Sequence, residues 1–134
     1  MSGTLVDSNV LLDVLTDDAA WGEWSAQALA QCANAGPLYV NPIIYAEVSI
    51  GFATIEACED AFPAADFLRL SLPLEAAFLA GKAFLHYRRQ GGTRHATLPD
   101  FFIGAHAAVA GLRLLTRDAA RYRTYFPTVE VIAP

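Results

Sequence analysis

The chain has 134 residues, 54% hydrophobic and 17% charged, which is matter for one ordinary domain, too little length for two, and far too apolar for a disordered chain. Its formal net charge of −5 argues at first sight against a nucleic-acid binder. The average hides a division: residues 1–67 hold ten acids and no Lys or Arg, whereas residues 68–134 hold all nine basic residues and four acids. An asymmetry of that kind is a prior for a polyanion on one side and a different partner on the other.

Thr4-Leu5-Val6 reads as a short buried strand ending at Asp7. Ser8 or Asn9 then offers an N-cap to a helix through Leu11, Leu12, Val14 and Leu15. A second helix is expected over about 21–35, stopped by Gly36-Pro37, and Leu38-Tyr39-Val40 is the next strand. Pro42 suits the first turn of a mostly apolar helix whose one charge is Glu47, and another helix follows near 55–62. Residues 67–72 alternate like a strand. Pro73 opens a long helix to about Arg89, closed by Gly91-Gly92, and residues 91–98 form a polar loop. Pro99 starts a helix ended by Gly111; residues 112–116 are a strand, 118–125 a short helix, and 129–132 a last strand. This alternation predicts an α/β domain with a mostly parallel sheet covered on both faces.

Bulk features set further expectations. Cys32 and Cys58 stand alone, without a CxxC motif, as two buried thiols in a reducing cytoplasm. The start lacks a basic stretch followed by a long apolar core, so no secretory leader is expected. The longest uncharged run, residues 24–46, is broken by Pro37 and Pro42, so no membrane span is expected either.

In open parallel sheets, functional groups collect beyond the carboxyl ends of the strands. Asp7 and Asp118 follow strands, Asp100 lies in the first turn of the Pro99 helix, and Glu47 lies about a turn and a half into the helix that opens at Pro42. Singly, an Asp at a helix start is a cap or a dipole partner. Together, four carboxylates sharing a cleft cannot all stay ionised without a cation. Hard oxygen ligands with no Cys or His among them suit Mg²⁺ or Mn²⁺ and phosphodiester hydrolysis better than zinc chemistry. Asp13 reads as a solvated helix residue.

The segments LVDSNVLLD from Leu5, IIYAEV from Ile43, LPDFFIGAHA from Leu98 and LLTRD from Leu114 resemble, in order, the four signature stretches of the PIN domain, above all its VapC branch of toxins from type II toxin–antitoxin pairs. The resemblance spans the chain and implies a single PIN domain over residues 1–134, with a PIN-like three-layer α/β/α sandwich. It further implies Mg²⁺- or Mn²⁺-dependent endoribonuclease activity in the cytoplasm, a homodimer, and a VapB-type antitoxin partner. By motif, Asp7 and Asp100 would be the central metal ligands. Glu47 would be a third acidic ligand or hold a coordinated water, and Asp118 would complete the cluster. Asn9 resembles the polar residue that orients the first carboxylate, with a plain helix cap as its alternative, and Thr116 the hydroxyl that precedes the last acid.

Arg94, on the loop before Asp100, and Arg117, beside Asp118, are the candidate RNA-phosphate contacts. Tyr87, Tyr122 and Tyr125 are candidates to stack on unpaired bases or to belong to the core. His86 and His106 read as locally satisfied helix residues, and His95 as a weak substrate contact. Two rival functions stay open: a response-regulator receiver, which shares aspartates at strand ends but needs a Lys after a strand, and a catalytically silent PIN-like binding module.

Overall fold

In a computed structural model of the protein, which describes residues 3–94 and 98–134, five short strands form one sheet. They are β1 (Thr4–Val6), β2 (Leu38–Val40), β3 (Leu68–Arg69), β4 (Arg113–Leu115) and β5 (Val131–Ile132), in the order β3-β2-β1-β4-β5, with every neighbouring pair parallel. Seven helices flank it: α1 (Ser8–Leu15), α2 (Gly22–Ala35), α3 (Pro42–Ser49), α4 (Ile55–Ala61), α5 (Leu74–Arg89), α6 (Pro99–Ala110) and α7 (Ala120–Tyr125). The result is a three-layer α/β/α sandwich, as a fully parallel sheet requires, because both of its faces must be covered. Among the described residues, no helix is long and apolar enough to cross a membrane.

The core follows from the apolar runs. All of β1 is buried, and Leu5, Val6, Leu114 and Leu115 meet Val10, Leu11, Ile44, Phe101 and Ile103 in one cluster. Gly104 lets α6 approach the Phe126 ring so closely that a Cβ there would lie 2.3 Å from it. Gly111 ends α6 in the left-handed conformation, with φ 66°.

The edges are shorter than their alternation suggests. Of residues 67–72 only Leu68–Arg69 form a strand, because the Phe67 amide is donated to Pro63 O within a turn rather than to the ladder. Residues 129 and 130 likewise precede β5 rather than belong to it.

Strand order also decides between architectures. A receiver-type sheet runs 2-1-3-4-5, whereas here β1 lies between β2 and β4 and β3 is at an edge. The receiver alternative is therefore excluded by topology.

Register aligns the strand ends. Leu5 pairs with Tyr39, and Val6 with Leu115. The next residues, Asp7, Asn41 and Thr116, therefore emerge side by side from the three central strands, and the Asp7 amide donates to Leu115 O at 2.9 Å. Asn41 caps α3, its Oδ1 accepting from the Ile44 amide at 2.9 Å.

Candidate active site

Asp7, rather than Ser8 or Asn9, is the N-cap of α1: its Oδ1 accepts from the Ser8 amide at 2.8 Å. The carboxylate is buried, 4% exposed. Its Oδ2 accepts from two hydroxyls of distant residues, Thr116 Oγ1 at 2.9 Å and Tyr122 OH at 2.8 Å. Burial raises its pKa from the ordinary 3.8 to about 6, with the neighbouring Asp100 charge pushing the same way and the Tyr122, Thr116 and Ser8 hydrogen bonds opposing.

Thr116 is the junction of the site. Its hydroxyl donates to Asp7 and accepts from the Asp118 amide at 3.1 Å and from Asn9 Nδ2 at 3.3 Å. Asn9 Oδ1 in turn accepts from the Arg117 amide at 3.1 Å. Asn9 thus acts on Asp7 through Thr116 and does not touch it directly. The turn that fastens the Asp118 amide also delays the last helix, which begins at Ala120 rather than 118, and leaves Asp118 exposed on the loop.

Glu47 reaches the same end from α3, where its Oε1 accepts from Ser8 Oγ at 2.8 Å. Burial raises its pKa, the Ser8 hydrogen bond opposes, and Asp100 adds to the rise. Asp100, in the first turn of α6, has its Oδ1 3.4 Å from Tyr122 OH and its Oδ2 3.8 Å from Arg121 Nη1. Its pKa is also raised, by burial first; Arg121 and Tyr122 oppose and Asp118 reinforces. The four acids named from the sequence therefore lie around the ends of β1 and β4, and three of them are pushed toward protonation by burial and mutual repulsion.

Tyr122 is the participant that sequence pattern did not identify as such. It reads as a stacking or core residue, yet its buried hydroxyl bridges Asp7 and Asp100. Burial, followed by the nearby carboxylates, drives its pKa upward, so it stays a neutral proton donor. Ser8, which tethers Glu47, was likewise assigned only a capping role.

Two other readings change. Asp13 is not solvated: it is 3% exposed, and its Oδ2 accepts from Ser25 Oγ at 2.8 Å. Arg117 binds it with both ends of its fork, Nε at 2.8 Å and Nη2 at 3.1 Å, while lying over the Trp21 ring. Asn9 and Asp13, one turn apart on α1, grip the backbone and the side chain of Arg117, which fixes the loop carrying Thr116 and Asp118. Arg117→Ala leaves the buried Asp13 without its cation. Allowing for the one-third exposure of Arg117, an expected loss of about 2 kcal/mol is measurable in urea unfolding.

Arg94 is exposed, and its amide lies 3.4 Å from Tyr87 OH, to which it donates. His86 packs edge-on against Tyr125. His106 is buried and satisfied across helices: Asn41 Nδ2, oriented by its own cap bond, donates to His106 Nδ1 at 3.0 Å. His95 lies outside the described residues.

The donor set suits a hard divalent cation. Asp7 has three good hydrogen bonds and so retains acceptor capacity, and Asp100 has only long contacts. Among the described residues, however, no group of three or more His, Cys, Asp or Glu side chains is drawn closely enough together to hold an ion. Direct ligation by one or two carboxylates, with water at the remaining positions, is the usual habit of Mg²⁺.

Residues 4–127 match the PIN-domain family model. Among solved structures, the chain resembles VapBC2 from Rickettsia felis bound to a promoter DNA fragment, with TM-score 0.76, 13% identity and 98% of each chain covered. It also resembles VapBC-1 from nontypeable Haemophilus influenzae, with TM-score 0.73, 18% identity, and 98% of this chain and 97% of that one covered. A toxin–antitoxin complex from Klebsiella pneumoniae gives TM-score 0.63 at 24% identity over 89% of each chain. At such identities the likeness is one of fold. No curated protein matches the sequence.

Proposed function

The chain belongs to the PIN-domain family, and from that premise we propose that it is a metal-dependent endoribonuclease, the VapC-type toxin of a toxin–antitoxin pair acting in the cytoplasm. The observation that carries this reading is the convergence of Asp7, Glu47, Asp100 and Asp118 at one end of the sheet, with Asp7 held at a pKa of about 6.

Asp7 and Asp100 would hold Mg²⁺ or Mn²⁺ directly, and Glu47 and Asp118 through water. When bound, the ion supplies Lewis acidity to the phosphate and lowers the pKa of a water. The chain's own groups do the rest. The Thr116 and Tyr122 hydroxyls fix Asp7 Oδ2, and Ser8 fixes Glu47. Glu47, made more basic by burial, or Asp118 takes the proton of the attacking water. The new oxygen–phosphorus bond forms as the bond to the 3′ oxygen breaks. That oxygen takes a proton from solvent water, leaving a 5′-phosphate and a 3′-hydroxyl. Arg94 is proposed to contact phosphate near this site. Arg117 would serve RNA only by leaving Asp13.

The acid-rich first half suits an antitoxin segment that carries Arg. The exposed Leu74 and Phe78, one turn apart on α5 and 84% and 68% accessible, suit a second copy of the chain. Purified protein is expected to cleave RNA with Mg²⁺ or Mn²⁺, to stop with chelator, and to stop with its antitoxin. A pure preparation that binds these ions but leaves all RNA intact overturns the assignment. Sequencing RNA ends after induced expression identifies the substrate.

A further inference from the structure

Beside the carboxylates lies a groove of about 380 Å³, within the range of ligand sites. It is lined by Tyr87, Asp100, Asp118, Arg121, Thr124 and Tyr125. We propose that this groove is a nucleobase subsite, holding one base of a single-stranded RNA next to the phosphate to be cut, with Tyr125 and the Arg121 guanidinium as its stacking surfaces. The proposal rests on the ribonuclease reading.

Three observations carry it. First, the groove shares Asp100 and Asp118 with the candidate site, so a nucleotide seated there has its phosphate beside them. Second, Arg121 is available as Arg117 is not. It lies over the Tyr87 and Phe101 rings at 5.6 and 5.7 Å, and its contact with Asp100, at 3.8 Å, is too long for a strong hydrogen bond. It can exchange that contact for a phosphate while keeping its aromatic support. Third, the platform is braced by its packing. Tyr87 stacks on Phe84 and meets Tyr125 edge-on, and Tyr125 packs on Phe101. Gly92 lies so close to the Tyr87 ring that a Cβ there would approach it to 2.3 Å. Aromatic faces and Arg planes held in this way are what unpaired bases stack on.

The test uses the full chain in chelator, where cleavage is suppressed, and a random-sequence short oligoribonucleotide containing 5-iodouridine. Crosslinks are expected on the peptides carrying Tyr87 or Tyr125. Tyr125→Leu is expected to weaken binding roughly ten-fold, Tyr125→Trp to preserve it, and Arg121→Gln to lower the salt slope by about one. Thr124→Trp blocks the groove from an exposed position, so it decides the matter even if Tyr125→Leu does not fold. Crosslinks elsewhere, with wild-type affinity in Tyr125→Leu and Thr124→Trp, overturn the subsite while leaving the ribonuclease intact. A wild-type chain that neither binds nor cleaves RNA overturns both.

Discussion

Asp7→Asn is expected to reduce metal-dependent RNA cleavage by at least about 10³-fold, the scale of losing a central electrostatic group, with the fold intact. The two halves of that expectation have separate causes. Asn is as good an N-cap as Asp, so the bond from the Ser8 amide survives. The Tyr122 hydroxyl, which donates to Oδ2, can turn its proton to Asp100 and accept from the new amide, whereas Thr116 accommodates that amide only by turning its proton to Asp118 O and releasing Asn9. The negative charge has no substitute at that position: Asp100, the other carboxylate within reach of the Tyr122 hydroxyl among the described residues, has its own place in the site. Initial rates on a cleavable RNA, together with circular dichroism of the variant, check both halves. Unchanged rates remove Asp7 from the mechanism.

The same variant should change how stability depends on pH. Asp7 has a pKa of about 6 when folded and an ordinary one near 3.8 when unfolded. Between those values the folded chain binds a proton that the unfolded chain has released. Asp7 therefore costs nothing below about pH 4, and its destabilisation grows as pH rises through 6, reaching about 3 kcal/mol at neutrality. In chelator, Asp7→Asn should match the wild type near pH 4 and exceed it by about that amount at pH 7.5. Added Mg²⁺ should narrow the gap by stabilising only the wild type. A stability difference that stays flat with pH, measured from urea midpoints, refutes the burial argument. A difference that grows with pH as expected makes the site an instance of function maintained at the expense of stability.

Much of this was legible in the chain because its elements are clearly punctuated. Pro42 and Pro99 open α3 and α6, Gly111 closes α6, and the apolar runs at 4–6, 38–40 and 113–115 are the three central strands. Glu47 could be singled out as the one charge in an apolar helix. Alternation at 67–72 overestimated an edge strand, since the pattern is the same whether or not the ladder forms. Tyr122 is a core residue, one of the two roles its pattern suggests, but its hydroxyl's task is not legible. That task depends on how α7 packs on α6 and brings the hydroxyl to Asp7 beyond the end of β1, and nothing local distinguishes a buried tyrosine that donates to a carboxylate from one that only fills space. Asp13 and Arg117 are 104 residues apart, so neither could be read correctly without the other.

The span of the Asp7 contacts bears on synthesis. Asp7 is translated well before its hydroxyl donors, which lie 109 and 115 residues later. The pairing of β1 with β4 is equally remote. Contacts of such high order close late and slowly, and domains emerge from the ribosome amino end first. A nascent chain thus carries Asp7 without Thr116 and Tyr122 until more than a hundred further residues have been added, so the arrangement of the candidate site cannot form while that length is being made.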